Sequence, residues 1–201
     1  MSFTRFARLP SGVIAALAMA IAVGNASAST GMSVTNGVAT ASFGGPLTFQ
    51  AGGLSFICDM TLALAINSSI TKSPGTAGLA SILPSSGGSA VSGCNLGMTG
   101  TVLRNGTIEY IAFVGNLPDI AAINGRSSNL AFALYIPLIG QECLSQGAMN
   151  LSFMRNAASG LVTSVAVSAR NAILAPEPCP SPLSINGSLT ASSGVPEIEL
   201  I

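Results

Sequence analysis

Ser69-Ile70-Thr71-Lys72 matches the nucleophile motif S-x-x-K within this 201-residue chain. In that motif a lysine one helical turn beyond a serine takes the hydroxyl proton and frees the oxygen to attack. Lys72 is the sole lysine, so the K-T-G element that accompanies the motif has no counterpart. The motif also follows a strand-like run in serine-rich sequence. The expected reading is a solvated loop, and a Ser69/Lys72 hydrolase is the remote alternative. The acids are Asp59, Glu109, Asp119, Glu142, Glu177, Glu197 and Glu199. Of these only Glu197 and Glu199 are placed together by sequence, on one face of a terminal strand, so a glycosidase-like carboxylate pair is not assembled. The chain has no histidine, which excludes Ser-His-Asp triads, Cys-His pairs and histidine-based metal sites. No D-x-D-x-D-G calcium loop appears. No catalytic, cofactor-binding or metal-binding residue is expected, and the protein reads as non-enzymatic.

The four cysteines, Cys58, Cys94, Cys143 and Cys179, carry a different chemistry. An even count in an exported chain reads as disulfides, and zinc sites usually need close C-x₂₋₄-C pairs, which are missing. Four cysteines allow three connectivities. Equal spacings of 36 residues favour Cys58–Cys94 with Cys143–Cys179. Export itself is read from residues 1–28. Arg5 and Arg8 form a positive start, Val13 to Val23 an apolar run, and Ala26-Ser27-Ala28 a small-x-small cleavage site. Cleavage between Ala28 and Ser29 is expected. The apolar run is short of the roughly 20 residues that span a bilayer, and no transmembrane helix is expected in the mature chain.

The remaining chain, 29–201, keeps Lys72, Arg104, Arg126, Arg155 and Arg170 against seven acids. That balance offers no basic surface for nucleic acid. Only 7% of residues are charged while 49% are hydrophobic, which excludes disorder driven by charge. Solubility rests on Ser, Thr, Asn and Gly. Such a surface sheds water cheaply against other proteins or apolar phases.

The elements that position these residues read as short strands. Leu62, Leu64 and Ile66 alternate on one face of Thr61–Ile66. Met149, Leu151 and Phe153 alternate, as do Leu161, Thr163, Val165 and Val167. Leu130–Ile136 and Leu183–Ala191 are further strands. Asn105-Gly106, between Thr101–Arg104 and Thr107–Ile111, predicts a tight hairpin. Ser73–Gly93 and the proline-rich Ala175–Pro182 read as loops. The aromatics Phe49, Phe56, Tyr110, Phe113, Phe132, Tyr135 and Phe153 are expected in the core. The fold expectation is all-β, an antiparallel sandwich or barrel stapled by disulfides. Residues 29–45 are expected as an N-terminal arm or edge strand, and 46–201 as a single domain.

Several short motifs resemble the bacterial secreted family called activator of alkane oxidation (PraB-like). Gly45-Pro46-Leu47-Thr48-Phe49-Gln50-Ala51-Gly52-Gly53 is similar to its F-T-x-x-G lead. Cys94 through Gly100-Thr101-Val102 looks like its cysteine followed by a G-x-V strand. Ile136-Pro137-Leu138-Ile139-Gly140 with Cys143 resembles its P-L-x-G-x-C element. Asn156-Ala157-Ala158-Ser159 echoes its N-A-x-S turn, and Cys179 with Ile185-Asn186-Gly187-Ser188-Leu189-Thr190 its closing segment. The chain departs from the family in its Gly/Ser stretch before Cys94 and in having no tryptophan. The resemblance implies an exported all-β protein of the cell surface or medium, linked to growth on hydrophobic substrates such as alkanes, to adhesion or to biofilm. The partner expected is a hydrophobic substrate or surface, or other copies of the protein. A structural subunit of an extracellular fibre, assembled by strand addition through 29–46 or 197–201, is the alternative.

Overall fold

The structure is a computed structural model that describes residues 31–71, 78–116, 119–174 and 178–200. Thirteen strands follow in chain order: β1 Gly31–Val34, β2 Thr40–Ala51, β3 Leu54–Ile66, β4 Ser69–Thr71, β5 Gly78–Ile82, β6 Ala90–Ser92, β7 Thr99–Val102, β8 Gly106–Gly115, β9 Ile120–Ile136, β10 Gln141–Arg155, β11 Val162–Leu174, β12 Leu183–Ser193 and β13 Ile198–Leu200. Short 3₁₀ turns at Ser85–Gly87 and Asn95–Gly97 are the only helical pieces among the described residues.

Every named pairing between strands is antiparallel, and the large sheet closes on itself. Its ring runs β2-β3-β5-β8-β9-β10-β11-β12 and returns from β12 to β2. Eight strands in chain-order succession make an up-and-down barrel. The remaining pair, β6 and β7, extends the wall at one end. β6 takes over beside β3 at Asp59–Thr61, where β5 has left off, and β7 lies beside β9 at Phe132–Tyr135, beyond the reach of β8.

Alternation puts the large apolar side chains inside. Phe43, Phe49, Phe56 and Phe132 are fully buried with Leu47, Leu62, Leu64, Ile82 and Ile108. Phe43 meets Phe153 edge to face at 6.4 Å, the arrangement that ring quadrupoles favour. An eight-stranded barrel is just narrow enough for side chains to fill, and this one is filled. On β12 the outward positions are small and polar, with Ser184, Asn186, Ser188, Thr190 and Ser192 alternating with the buried Leu183, Ile185 and Leu189, whereas β3, β8, β9 and β10 expose Ile57, Ile111, Val114, Tyr135, Leu144 and Met154. Among the described residues no helix is long and apolar enough to cross a membrane.

A second sheet, β13-β1-β4, sits across one mouth of the barrel. There β2 begins, β3 ends and β10 ends. β1 is its central strand, and Met32 is buried against the core.

Five expectations change, the first being Tyr135, expected in the core and instead 43% exposed on β9. The expected boundary at 45/46 falls inside β2, which is paired on both sides, and Gly31–Val34 is the central strand of the small sheet, so the described residues of that segment lie within paired sheets. Asn105-Gly106 is not a hairpin. β7 and β8 do not pair with each other; both pair with β9, end to end. Gly106 is required for close approach instead, because a Cβ there would stand 2.6 Å from Ser127 Oγ. Ser73–Gly93 contains β5 and β6, whose small residues conceal the strand pattern. On β11 a bulge against Met154/Arg155 shifts the parity, so Val162 is buried with Val165 and Val167 while Thr163 is exposed.

Candidate functional site: an apolar rim at the disulfide end

Two disulfides, Cys58–Cys94 and Cys143–Cys179, form with the sequential pairing that the equal spacing favoured. Both lie at the barrel end opposite the small sheet. Cys58 stands near the start of β3 and Cys143 near the start of β10. Cys94 precedes the Asn95–Gly97 turn, and Cys179 belongs to the connection between β11 and β12.

The Asn95–Gly97 turn is the unusual feature of this end. Leu96 has φ 56° and ψ 17°, and Gly97 follows at φ 69°. Leu96 is the sole non-glycine residue with positive φ among those described. A bulky side chain in the left-handed region costs roughly 1–2 kcal/mol, and asparagine or glycine would fill the position more cheaply. The strained leucine points outward: Leu96 is 57% exposed, beside Ile57 at 54%, Leu138 at 58% and Tyr135 at 43%. These residues come together by three links. The disulfide and a 2.8 Å bond from the Ile57 N–H to Asn95 Oδ1 tie the turn to β3. Gly97 faces Pro137 closely enough that a Cβ would stand 3.5 Å from its ring. Thr99 pairs with Tyr135, which carries the rim on to β9.

This apolar rim is held from two sides, which lowers the ordering cost of contact. Fully burying a side chain of this kind contributes about 1.5–3 kcal/mol. The charged residues nearby, Asp59 and Glu142, stand on outward positions of β3 and β10 and are exposed.

The residues singled out for chemistry are scattered. Ser69 lies in β4, while Lys72 lies outside the described residues. The Ala28/Ser29 cleavage point also lies outside them. Glu109 stands opposite Arg126 across β8 and β9. Glu197 and Glu199 flank Ile198 at the small sheet. No cluster of three His, Cys, Asp or Glu that could hold a metal exists among the described residues. Burial pushes the Tyr110 phenol above its ordinary pKa, opposed by a hydrogen bond from the Phe113 backbone. The rim itself was missed by residue-type reasoning, since it is made of ordinary leucines, an isoleucine and Tyr135, which was expected in the core. The sole sequence signal was the placement of Asn-Leu-Gly directly after a cysteine.

The architecture is thus a closed, side-chain-filled antiparallel barrel with one capped mouth and one disulfide-braced apolar rim. Comparison of the chain with protein-family models, with curated proteins and with solved structures finds no match.

Proposed function

We propose that this is a non-enzymatic, exported protein of the cell surface or medium that contacts apolar material through its disulfide-braced rim. The observation that carries the reading is Leu96, an exposed leucine kept in a left-handed conformation. Strain of that kind persists where the side chain serves something other than stability. The low charge of the chain supports it, because little hydration must be stripped when the rim meets a hydrophobic phase. Two disulfides accord with an oxidising compartment. The resemblance to the activator of alkane oxidation family points the same way, toward hydrophobic substrates, adhesion or biofilm.

The test is adsorption to hexadecane droplets. Leu96→Asn relieves the strain and removes the apolar side chain. Adsorption is expected to fall about tenfold, the equivalent of losing part of one buried leucine, while the urea midpoint holds or rises. Met154→Asn, an exposed change at the opposite end of the barrel, is the control and leaves adsorption unchanged. Equal adsorption of wild type and Leu96→Asn would refute the reading.

A second reading, a fibre subunit, is favoured by one observation. Closure removes the edges of the large sheet, but β4 in the small sheet has one partner strand, β1, among the described residues. An incoming strand from another copy has a place beside it. Electron microscopy of the oxidised protein then shows filaments; dispersed particles at high concentration remove this reading.

A further inference from the structure

We infer that the capped mouth of the barrel is a binding site for the end of one unbranched alkyl chain. The site is separate from the rim, at the other end of the molecule, and does not depend on it. A cavity of about 30 Å³ lies between the barrel and the small sheet. Phe43, Ala80, Ile123 and Phe153 form its floor, and Met32 and Val34 of β1 its roof. No charged side chain lines it; Ser33 and Asn67 are the polar members. Barrel mouths are recurrent ligand sites, and the lining here is almost wholly apolar.

Size and lining select the occupant. An apolar cavity of roughly 150 Å³ accepts benzene, so the unopened space here, about 30 Å³, admits only the end of a chain. A methyl-terminated chain presents the smallest apolar cross-section and enters end first. The roof can yield to a longer insertion. Its strands are four, three and three residues long, below the length at which a sheet is stable alone. β13 is tied to the barrel by the Arg155 Nε–H, which donates to the Ile198 carbonyl at 3.0 Å, and by the Ile198 N–H, which donates to the Gly160 carbonyl at 3.0 Å. A chain that displaces part of this sheet gives up the part-buried Arg155 bond, the Ile198–Gly160 and Val162–Pro196 backbone bonds and some burial of Met32, and gains apolar contact with the phenylalanine floor. With no charge in the lining, no headgroup is read inside. A free hydrocarbon and the acyl chain of a lipid therefore offer the same chemistry.

The experiment uses oxidised protein carrying ¹³C-methyl methionine. Met32 reports on the roof, and Met154, on the outer face, reports non-specific association. The probes are n-octane and, separately, dihexanoylphosphatidylcholine below its critical micelle concentration. A saturable shift of the Met32 methyl, without one at Met154, is expected. A response to octane assigns the free hydrocarbon as a ligand, and a response to the lipid alone assigns the acyl chain. Ala80→Val in the floor and Val34→Phe in the roof fill the cavity from opposite sides, so one remains informative where the other disturbs folding. Each is expected to weaken the Met32 response at least about tenfold, as two methylene-equivalents of contact are lost. Leu96→Asn leaves it intact, which separates this site from the rim. No Met32 response to either probe, or an undiminished response in folded forms of both cavity variants, overturns the assignment.

Discussion

Replacing Cys58 and Cys94 together by alanine is expected to cost about 3–4 kcal/mol of unfolding free energy, and replacing Cys143 and Cys179 the same. Each bridge joins residues 36 apart, and loop-closure entropy in the unfolded chain depends on that separation alone. Against a total stability of roughly 5–15 kcal/mol, removal of both bridges leaves little folded protein at 37 °C. The native contexts differ, and so do the functional consequences. Cys143–Cys179 spans β11 within a run of strands already paired in succession, β10 to β11 to β12. Its loss changes stability and leaves the rim in place. Cys58–Cys94 holds the Asn95–Gly97 turn, whose other tie to β3 is the single bond from Ile57 to Asn95. Its loss frees Leu96 to leave the left-handed region and disperses the rim. Urea midpoints are therefore expected to drop alike in the two double variants, while hexadecane adsorption collapses only for Cys58→Ala/Cys94→Ala. Equal adsorption in both would show that the rim needs no brace.

Which parts of this architecture were legible beforehand follows from how side chains report burial. Leu62, Leu64 and Ile66, and likewise Met149, Leu151 and Phe153, betray their strands because one face is large and apolar and the other is not. The cysteine pairing was favoured by equal spacing, and the all-β class by the frequency of such runs. β2 was hidden because Gly44-Gly45-Pro46 imitates a turn, although Pro46, opposite Asp59, sits at an exposed position inside a paired strand. Gly106 misled for a related reason. Glycine marks either a backbone conformation or a close approach, and the two are identical in sequence. Beyond the Asn-Leu-Gly placement after Cys94, Leu96 left no sign in the sequence, since a strained φ belongs to a residue's surroundings and not to its type. The cavity under the small sheet was equally silent: Met32 and Val34 lie in a short stretch of small and polar residues and meet Phe43 and Phe153 only through barrel closure.

The second large effect is expected at Gly194, in the link between β12 and β13. Gly194 has φ 59°, and a Cβ built on it lands on the carbonyl oxygen of Thr40 at the start of β2, with the Ala41 Cα at 3.2 Å. Gly37, in the link between β1 and β2, has nearly the same backbone conformation, φ 66°, with nothing within 4 Å of its Cβ position. The pair separates two costs that are usually confounded. Gly37→Ala meets only the left-handed strain, about 1 kcal/mol. Gly194→Ala meets that strain and a backbone collision, for about 3 kcal/mol or more. The collision is relieved either by shifting β2, which is paired on both sides, or by lifting the chain from Gly194 onward. The second route is cheaper, because β13 is three residues long and paired with a strand on one side only, whereas β2 is twelve residues long and paired on both. Its consequence is specific. Amide exchange is expected to accelerate at Ile198, which donates to Gly160, and at Val34, which donates to Ser68, while the interior of β9 and β10 stays protected. Equal urea midpoints for Gly194→Ala and Gly37→Ala would show that β2 absorbs the collision without cost. If exchange rises only in the small sheet, Gly194 sets how closely that sheet lies over the barrel mouth, and through it how readily the cavity beneath opens.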